Sequence, residues 1–426
     1  MRMGGRLAAA MEVLADIDGR QRPAAEALRD WGGAHRFAGG GDRAAIGNIV
    51  YDALRRRRSA GWLFDGDSPR ALAFGALLLE WGETPDAINA MLDGDKFAPP
   101  PLEEDELRIL RERLAADMPD EVRADCPDWS APLLRSAFGE NWADEAAALA
   151  RRPPLDLRAN LLKCERDTLL AALSATGADA TGIAPHGVRI APIEGSGRHP
   201  NVQAGEAFAE GRFEVQDEGS QIVSELAGAR PGMQVLDYCA GAGGKSLALS
   251  AAMRNQGQIF AHDALKPRLA PIVERIKRAG SRNIQIAAGA SELGPLEDRM
   301  DIVLVDAPCT GSGTWRRRPD TKWRLTRQQL DARIAEQAEI LDMAARYVKP
   351  GGLLAYVTCS VFAEENGEQA EAFLERVPGF TPQDHAALWK HHFPGQEGRA
   401  GIGMGVSLSP GRTGTDGFYF CALRRT

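Results

Sequence analysis

Two isolated cysteines each follow a hydrophobic, β-prone run. Cys309 closes the motif Asp306-Ala307-Pro308-Cys309, and Cys359 is central in Thr358-Cys359-Ser360. The thiolate form of cysteine is a nucleophile that can form covalent intermediates, and nearby basic groups favour that form. Asp306 supplies a carboxyl group that could share a proton if burial raises its pKa. These residue types predict covalent catalysis with acid assistance, although two buried structural thiols are the simpler alternative.

A glycine-rich stretch, Gln234–Ser246, separates a β-prone run from a helix-forming run. A strand, a loop and a helix start together present backbone N–H groups and a positive dipole end to a ligand. The glycines allow the ligand to approach the backbone closely. Lys245 lies at this helix start, where a cation opposes the dipole. We therefore predict a ligand-binding loop in which Lys245 orients Asp306 or stabilises a reaction intermediate.

Two well-known phosphate-binding loops do not fit this stretch. A Walker A loop requires glycine six positions before the lysine, where Cys239 stands. A dinucleotide fingerprint requires a third glycine where Ser246 stands. The mismatch disfavours a nucleotide hydrolase, and a tight turn that binds nothing remains as the other alternative.

Alternating hydrophobic runs and helical patterns surround this loop. The runs are Gln258–Asp263, Asn283–Ala288, Asp301–Asp306 and Leu353–Thr358, and the main helical patterns are Pro267–Ala279 and Gln328–Val348. Such alternation predicts an α/β fold with a doubly wound parallel sheet that binds ligands at the carboxyl ends of its strands. Asp263 ends the second strand, where an acidic residue typically accepts the ribose hydroxyls of a cofactor.

Three motifs together resemble those of the Nop/Sun (RsmB-like) family of RNA 5-methylcytosine methyltransferases: Cys239–Lys245, Asp306–Trp323 and Thr358-Cys359-Ser360. The resemblance extends from about Pro153 to the C-terminus. It implies a Rossmann-like methyltransferase domain and S-adenosyl-L-methionine as cofactor. The cofactor-binding residues that it implies are Cys239, Ala240, Gly241, Ala242, Gly243, Gly244, Lys245, Asp263, Gly289 and Asp306. Proline is usual where Ala242 stands and aspartate is usual near Gly289, so both departures bear on cofactor affinity.

The resemblance also implies catalytic roles. Cys359 would be the nucleophile that adds to carbon 6 of cytosine, and Cys309 would assist release of the product. Asp306 would face the N3 edge of the base, supported by Lys245. The sequence alone does not decide which cysteine is the nucleophile, because DNA cytosine methyltransferases use the cysteine of a Pro-Cys motif in that role.

A basic strip with an interleaved aromatic residue follows Cys309. Its members are Arg316, Arg317, Arg318, Lys322, Trp323 and Arg324. Basic residues with aromatics suit contact with an RNA backbone and stacking on an unpaired base. A solvated charged loop is the alternative reading. The strip predicts RNA as partner, and the family resemblance implies an unpaired cytosine of ribosomal RNA as target.

The length of 426 residues predicts two or three domains. Residues 1–145 repeat apolar residues at helical spacing and resemble an all-α NusB-like RNA-binding domain. Residues 150–210 form a short mixed segment, for which the resemblance implies a small α+β subdomain of RNA-recognition-motif (RRM-like) type. Residues 211–426 are the predicted methyltransferase domain.

Composition limits the remaining classes. Lys plus Arg is 51 and Asp plus Glu is 59, and the net charge of −8 argues against a protein that coats nucleic acid nonspecifically. Six scattered cysteines without a Cys-x-x-Cys pair predict no metal site and a reducing, cytoplasmic location. The longest apolar run, Ala71–Leu79, is too short for a membrane span, and the N-terminus does not fit a signal peptide. The sequence does not determine the oligomeric state, and we expect a monomer.

The sequence thus predicts an S-adenosylmethionine-dependent RNA (cytosine-5-)-methyltransferase that modifies 16S ribosomal RNA through a covalent cysteine–cytosine intermediate. The alternative from a different class is a non-catalytic RNA-binding factor of ribosome assembly that retains the fold.

Overall fold

The computed structural model describes residues 1–287 and 289–426. The chain divides into two compact units. The helical unit contains Met1–Pro153, Pro192–His199 and Trp315–Leu325. The sheet unit contains Pro154–Ala191, Pro200–Thr314 and Thr326–Thr426.

Ten α-helices make up the continuous part of the helical unit. They are α1 Met3–Arg20, α2 Ala24–Ala34, α3 Gly40–Arg55, α4 Arg57–Phe64, α5 Pro69–Leu79, α6 Pro85–Leu92, α7 Glu104–Leu114, α8 Asp120–Arg123, α9 Ala131–Phe138 and α10 Trp142–Ala148. The Ser68 side chain accepts a hydrogen bond from the Ala71 N–H, and Pro69 occupies the first turn, so the start of α5 is specified locally. Leu7, Ile46 and Phe74 are fully buried in the shared core. The predicted all-α character of this region is confirmed.

The sheet unit begins with a small subdomain. Its elements are β1 Leu155–Ala159, α11 Arg166–Ala172, β2 Ala178–Ala180, β3 Gly187–Ile190, α12 Glu206–Ala209 and β4 Phe213–Val215. The strands form an antiparallel sheet in the order β2-β3-β1-β4. This is the α+β subdomain that the family resemblance implied, and its last strand lies beyond the predicted boundary at residue 210.

The larger part of the sheet unit contains nine strands. The strands are β5 Gln234–Asp237, β6 Gln258–Ala261, β7 Ile284–Ile286, β8 Met300–Asp306, β9 Val348–Thr358, β10 Phe380–Pro382, β11 Gly401–Ile402, β12 Val406–Leu408 and β13 Phe418–Arg425. The helices are α13 Glu218–Leu226, α14 Gly244–Ala252, α15 Lys266–Leu269, α16 Ile272–Ala279, α17 Ala290–Leu293, α18 Pro319–Arg324, α19 Arg327–Ala344, α20 Gly367–Arg376, α21 His385–His392 and α22 Pro410–Thr413. Helix α18 lies in this part of the sequence, but it belongs to the helical unit.

The strand order explains where a ligand can bind. It runs β11-β12-β13-β9-β8-β5-β6-β7, with β10 paired to β13. Strands β5 to β9 are parallel to their neighbours, and β13 is antiparallel to β9. From β5 the chain moves outward to β7 and then returns to β8 on the other side of β5. The order reverses between β5 and β8, which is the switch point at which doubly wound sheets bind ligands. The predicted α/β class is confirmed.

The predicted elements match the observed ones closely, with small differences at their ends. Strand β9 begins five residues before the predicted Leu353, and the predicted helix Pro267–Ala279 is divided into α15 and α16 at Ala270 and Pro271. The predicted third strand ended at Ala288, which lies outside the described residues. Among the described residues, no helix combines the length and the hydrophobicity needed to cross a membrane.

Candidate active site

The glycine-rich loop lies between β5 and α14 and is shaped by two left-handed glycines. Gly241 has φ +51° and Gly243 has φ +81°. A Cβ atom on Gly243 would lie 2.3 Å from Cγ1 of the buried Ile272. Only glycine satisfies both the dihedral angle and the space at this position. The conformation of the loop therefore requires glycine at Gly243.

Asp263 is attached directly to this loop. Its Oδ2 accepts a hydrogen bond from the Gly241 N–H at 3.0 Å, and its Oδ1 accepts from the Leu265 N–H at 2.9 Å. The Arg268 guanidinium lies 3.3 Å from the same Oδ2. Asp263 is buried and its ion pair faces the loop. Arg268 therefore gives Asp263 a cationic partner beside the loop.

Lys245 and Asp306 form an ion pair across the switch point. Lys245 Nζ donates to Asp306 Oδ2 at 2.6 Å, and the ammonium lies 5.5 Å from the ring centroid of Phe418. Lys245 is 8% exposed, whereas a third of the Asp306 side chain reaches solvent. Burial alone would lower the pKa of Lys245, but the charge of Asp306 and the hydrogen bond to it raise this pKa. Lys245 is therefore held as a cation, and the predicted link to Asp306 is present.

A third carboxyl group lies at the end of β5. Burial raises the pKa of Asp237 to about 7, while the hydrogen bond from the Ser246 hydroxyl, at 2.6 Å, opposes the shift. The neighbouring charge of Asp306 adds to the increase. No described residue donates a hydrogen bond to the buried Asp237 Oδ1. Asp237 was not among the predicted site residues, although its position before the glycine-rich loop was a usable signal.

The two cysteines lie side by side at the ends of β8 and β9. The register of these strands pairs Asp306 with Val357, so the loops that follow them are neighbours. Cys309 Sγ and Cys359 Sγ are 3.3 Å apart and both residues are half-buried. The hydrogen bond to Cys359, followed by burial and the charge of Cys359, raises the pKa of Cys309 well above its ordinary value. The two sulfur atoms therefore interact directly.

The remaining predicted cofactor residues lie around the same edge of the sheet. Cys239 is buried, and burial raises the pKa of its thiol well above the ordinary value. Ala242 is exposed, and its carbonyl oxygen accepts a hydrogen bond from Arg275 at 2.7 Å. Gly289 follows β7, and a Cβ atom there would lie 3.4 Å from a carboxylate oxygen of Glu292. The structure thus brings the glycine-rich loop, Asp263, Asp306 and both cysteines to one edge of the sheet.

The basic strip lies in the helical unit and is only partly accessible. Arg316 is 4% and Lys322 is 2% exposed. Lys322 Nζ donates to the Arg55 carbonyl oxygen at 3.2 Å, and Arg55 Nε donates to the Arg316 carbonyl oxygen at 2.8 Å. Burial lowers the pKa of Lys322 to about 8. The side chains of Lys322 and Arg55 thus hold the strip against α3, a structural role that the sequence did not predict.

Three other arginines of the strip reach solvent. Arg318 is exposed, Arg317 is half-buried, and Arg324 forms a half-buried ion pair with Asp320 at 2.8 Å. Trp323 is half-buried, and its Nε1 donates to the Leu54 carbonyl oxygen at 2.6 Å. RNA contact remains a prediction for Arg317, Arg318 and Arg324, because these side chains reach solvent.

Sequence comparison identifies relatives of this chain. A family model described as 16S rRNA methyltransferase RsmB/F matches residues 226–424, and a model of the ferredoxin-like domain of RsmF/B-like methyltransferases matches residues 126–193. Ribosomal RNA small subunit methyltransferase B of Pseudomonas syringae pv. tomato is 34% identical over 313 residues, and its counterpart in Klebsiella pneumoniae subsp. pneumoniae is 33% identical over 303 residues. The matches cover 71% and 70% of this chain, but only 66% and 65% of those relatives.

Solved structures show the same fold. The crystal structure of PH0851 superposes with a TM-score of 0.72 over the whole of both chains, at 23% identity. The structure of NSun6 from Pyrococcus horikoshii with SFG gives a TM-score of 0.59, at 21% identity, over 70% of this chain and 98% of that one. The family models and the curated relatives agree, and the chain therefore belongs to the RsmB/F methyltransferase family through its residues 126–193 and 226–424.

Proposed function

We propose that this chain is an S-adenosylmethionine-dependent RNA (cytosine-5-)-methyltransferase that modifies RNA of the small ribosomal subunit. The observation that carries the proposal is the pair of thiols, Cys309 and Cys359, 3.3 Å apart and close to the Lys245–Asp306 ion pair. A pair of thiols beside a switch point, with a fixed cation nearby, suits covalent catalysis. The names of the curated relatives support ribosomal RNA as the substrate class.

The residues at the switch point fit the proposed cofactor. Gly241 and Gly243 open the backbone of the loop, and Asp263 is a buried carboxylate beside it. Asp237 Oδ1 is a buried acceptor for which no described residue supplies a donor. These groups would accept hydrogen bonds from the hydroxyl and amino groups of S-adenosylmethionine, which supplies an electrophilic methyl group when bound. Cofactor binding at this loop is part of the proposal.

The first chemical step belongs to Cys359. The charge of Cys359 contributes to the raised pKa of Lys245, so the Lys245 ammonium lies within electrostatic reach of the Cys359 sulfur. The Cys309 and Cys359 sulfur atoms are within hydrogen-bond distance, so Cys309 lies beside the attacking atom. The Cys359 thiolate adds to carbon 6 of the cytosine, N3 takes up a proton from solvent, and the Asp306 carboxylate accepts a hydrogen bond from that N3–H. Carbon 5 thereby becomes nucleophilic and can accept the methyl group.

The second step requires a base at carbon 5, and Cys309 suits this role. Two causes of its raised pKa, the hydrogen bond to Cys359 and the charge of Cys359, disappear when Cys359 Sγ binds carbon 6. The pKa of Cys309 then falls, and its proton passes to solvent. The Cys309 thiolate takes the proton from carbon 5, and the electron pair of that C–H bond forms the carbon 5–carbon 6 double bond. The bond from carbon 6 to Cys359 breaks, and its electron pair returns to the sulfur.

The target base must be accessible to these thiols. Extrusion of a paired base costs a few kcal/mol, so an unpaired cytosine is the proposed target. Arg317, Arg318 and Arg324 are the proposed contacts to the RNA backbone. We place the reaction in the cytoplasm, where the six free cysteines would stay reduced. A monomer remains our expectation.

Methyl transfer can be tested directly. The purified protein is incubated with tritiated S-adenosylmethionine and with small-subunit RNA, free or assembled, from cells that lack the gene. Digested RNA should contain labelled 5-methylcytidine, and Cys359→Ser should give none. A label in any other nucleoside would overturn the proposal. Absence of label with both forms of RNA would favour the alternative of a non-catalytic assembly factor.

A further inference from the structure

Glu365 is a buried carboxylate six residues after Cys359, at the end of a 3-10 turn, Ala363–Glu365. Its side chain is fully buried. Oε1 accepts hydrogen bonds from the Thr310 N–H at 2.8 Å and from Gln337 Nε2 at 2.9 Å, and Oε2 accepts from the Thr310 hydroxyl. No ion pair in the described part of the chain includes Glu365. Burial of a carboxylate without a cationic partner is costly, so this position calls for a reason.

Glu365 and its partner Gln337 bind the residues that precede and follow Cys309 in the chain. Thr310, the residue after Cys309, is held through its backbone N–H and its hydroxyl. Gln337 of α19 donates both to Glu365 and to the carbonyl oxygen of Pro308, the residue before Cys309, at 3.0 Å. Helix α19 is itself fixed at its start by the Thr326–Gln329 capping box. The backbone at Cys309 is therefore anchored by Glu365 and by a helix that Glu365 contacts.

Asn366, the next residue, holds Cys359 in the same way. Its Oδ1 accepts from the Thr358 hydroxyl at 2.5 Å, and its Nδ2 donates to the Ser360 carbonyl oxygen at 3.0 Å. Thr358 and Ser360 flank Cys359. Two adjacent residues thus attach to the flanking residues of both cysteines, and they can set the 3.3 Å distance between the two sulfur atoms.

We propose that Glu365 is a positioning residue for product release, which holds the Cys309 thiol beside Cys359 while Asn366 holds Cys359 itself. This inference rests on the proposed function, because it concerns the second step of that reaction. The charge of Glu365 also contributes to the raised pKa of Cys309, after the hydrogen bond to Cys359, burial and the charge of Cys359. Glu365 would therefore act on Cys309 through both position and charge.

The two contributions can be separated with two substitutions. Glu365→Gln keeps the size and one oxygen acceptor but removes the charge, so release should retain most of its rate and its pH profile should shift to lower pH. Glu365→Ala removes both the charge and the hydrogen bonds that hold the backbone beside Cys309. Release should then slow by about 100-fold, the cost of a misplacement of about 1 Å in a catalytic group. Adduct formation should continue, because Asn366 still holds Cys359. The neighbouring Glu364→Ala, which removes a partly exposed side chain paired with Arg327, is the matched control.

The experiment follows the protein–RNA adduct on denaturing gels together with the rate of multiple turnover. The expected result is accumulation of adduct in Glu365→Ala but not in Glu364→Ala, rescue in Glu365→Gln, and no additional effect of Glu365→Ala in the Cys309→Ala background. Wild-type turnover in Glu365→Ala, or equal loss of adduct formation and release in both Glu365 variants, would overturn the inference. If the wild type methylates but Cys309→Ala accumulates no adduct, the positioning role falls and the methyltransferase stands. If the wild type does not methylate, the proposed function itself has failed.

Discussion

Gly243→Ala should destabilise the protein and weaken cofactor binding through two separable effects. Gly243 has φ +81°, which a residue with a Cβ adopts only with strain. The added Cβ would also lie 2.3 Å from Ile272 Cγ1 and 2.5 Å from Ile272 Cδ1. Ile272 is fully buried at the start of α16, so it cannot move into solvent. The loop or the helix must shift to accommodate the methyl group.

The magnitude follows from these two effects. The left-handed conformation costs roughly 1–2 kcal/mol for a residue with a Cβ. Overpacking of a filled core costs about 1–3 kcal/mol more. The free energy of unfolding should therefore fall by about 2–5 kcal/mol in total. Two other glycines provide matched controls. Gly232 has φ +90° and no atom within 4 Å of an added Cβ, whereas Gly294 has neither a positive φ nor such a neighbour.

The assay is thermal unfolding of the three alanine variants, with and without S-adenosylhomocysteine. Gly232→Ala reports strain alone, so it should lose roughly 1–2 kcal/mol. Gly294→Ala should be close to the wild type. A difference of about 1 kcal/mol shifts the melting temperature by about 2–4 °C for a unit of this size. Only Gly243→Ala should also lose the stabilisation that the ligand provides. Equal losses in Gly243→Ala and Gly232→Ala, or full ligand stabilisation in Gly243→Ala, would refute the reasoning.

Three further predictions concern single side chains. Asp263→Ala should weaken S-adenosylhomocysteine binding by about 10–100-fold, as expected for lost hydrogen bonds to a charged group, and unchanged affinity in calorimetric titration would contradict the assignment. The pKa of Asp237 is about 7 in the folded protein and 3.8 ordinarily, so the folded state binds the proton more tightly. The wild type should therefore lose stability relative to Asp237→Asn as the pH rises from about 4 to 7. Urea titrations measure this difference in stability, and a difference that stays constant with pH would contradict the prediction. Arg318→Ala should weaken RNA binding and lower its salt dependence by about one ion, while Lys322→Met should leave RNA binding unchanged in filter-binding assays.

Much of the sheet unit could be predicted from local sequence, because each strand is a hydrophobic run and each site motif follows one. The ends of β8 and β9 fix where Cys309 and Cys359 lie, and parallel pairing makes their loops neighbours. Asp306 and Lys245 could be paired from the same argument. These inferences need only the period of the hydrophobic pattern and the rule that ligands bind at the carboxyl ends of strands.

Other features depend on contacts between distant parts of the chain, which no local pattern encodes. Lys322 contacts the backbone of Arg55, 267 residues earlier, so a residue that looks like an RNA ligand in sequence is buried in the structure. Glu365 follows Glu364 in an acidic turn, and the letters do not distinguish the buried carboxylate from the partly exposed one. The high pKa of Asp237 likewise depends on complete burial beside Asp306.

The most direct test of the central claim compares Cys359→Ala with Cys309→Ala, each expressed with native RNA and analysed on denaturing gels with and without nuclease. Cys359→Ala should lack both methylation and adduct, because it has no sulfur to bind carbon 6. Cys309→Ala should show a nuclease-sensitive shifted band, because attack and methyl transfer proceed while release is slow. A shifted band in Cys359→Ala alone would reverse the two roles. Methylation by both variants without any shifted band would contradict the covalent mechanism.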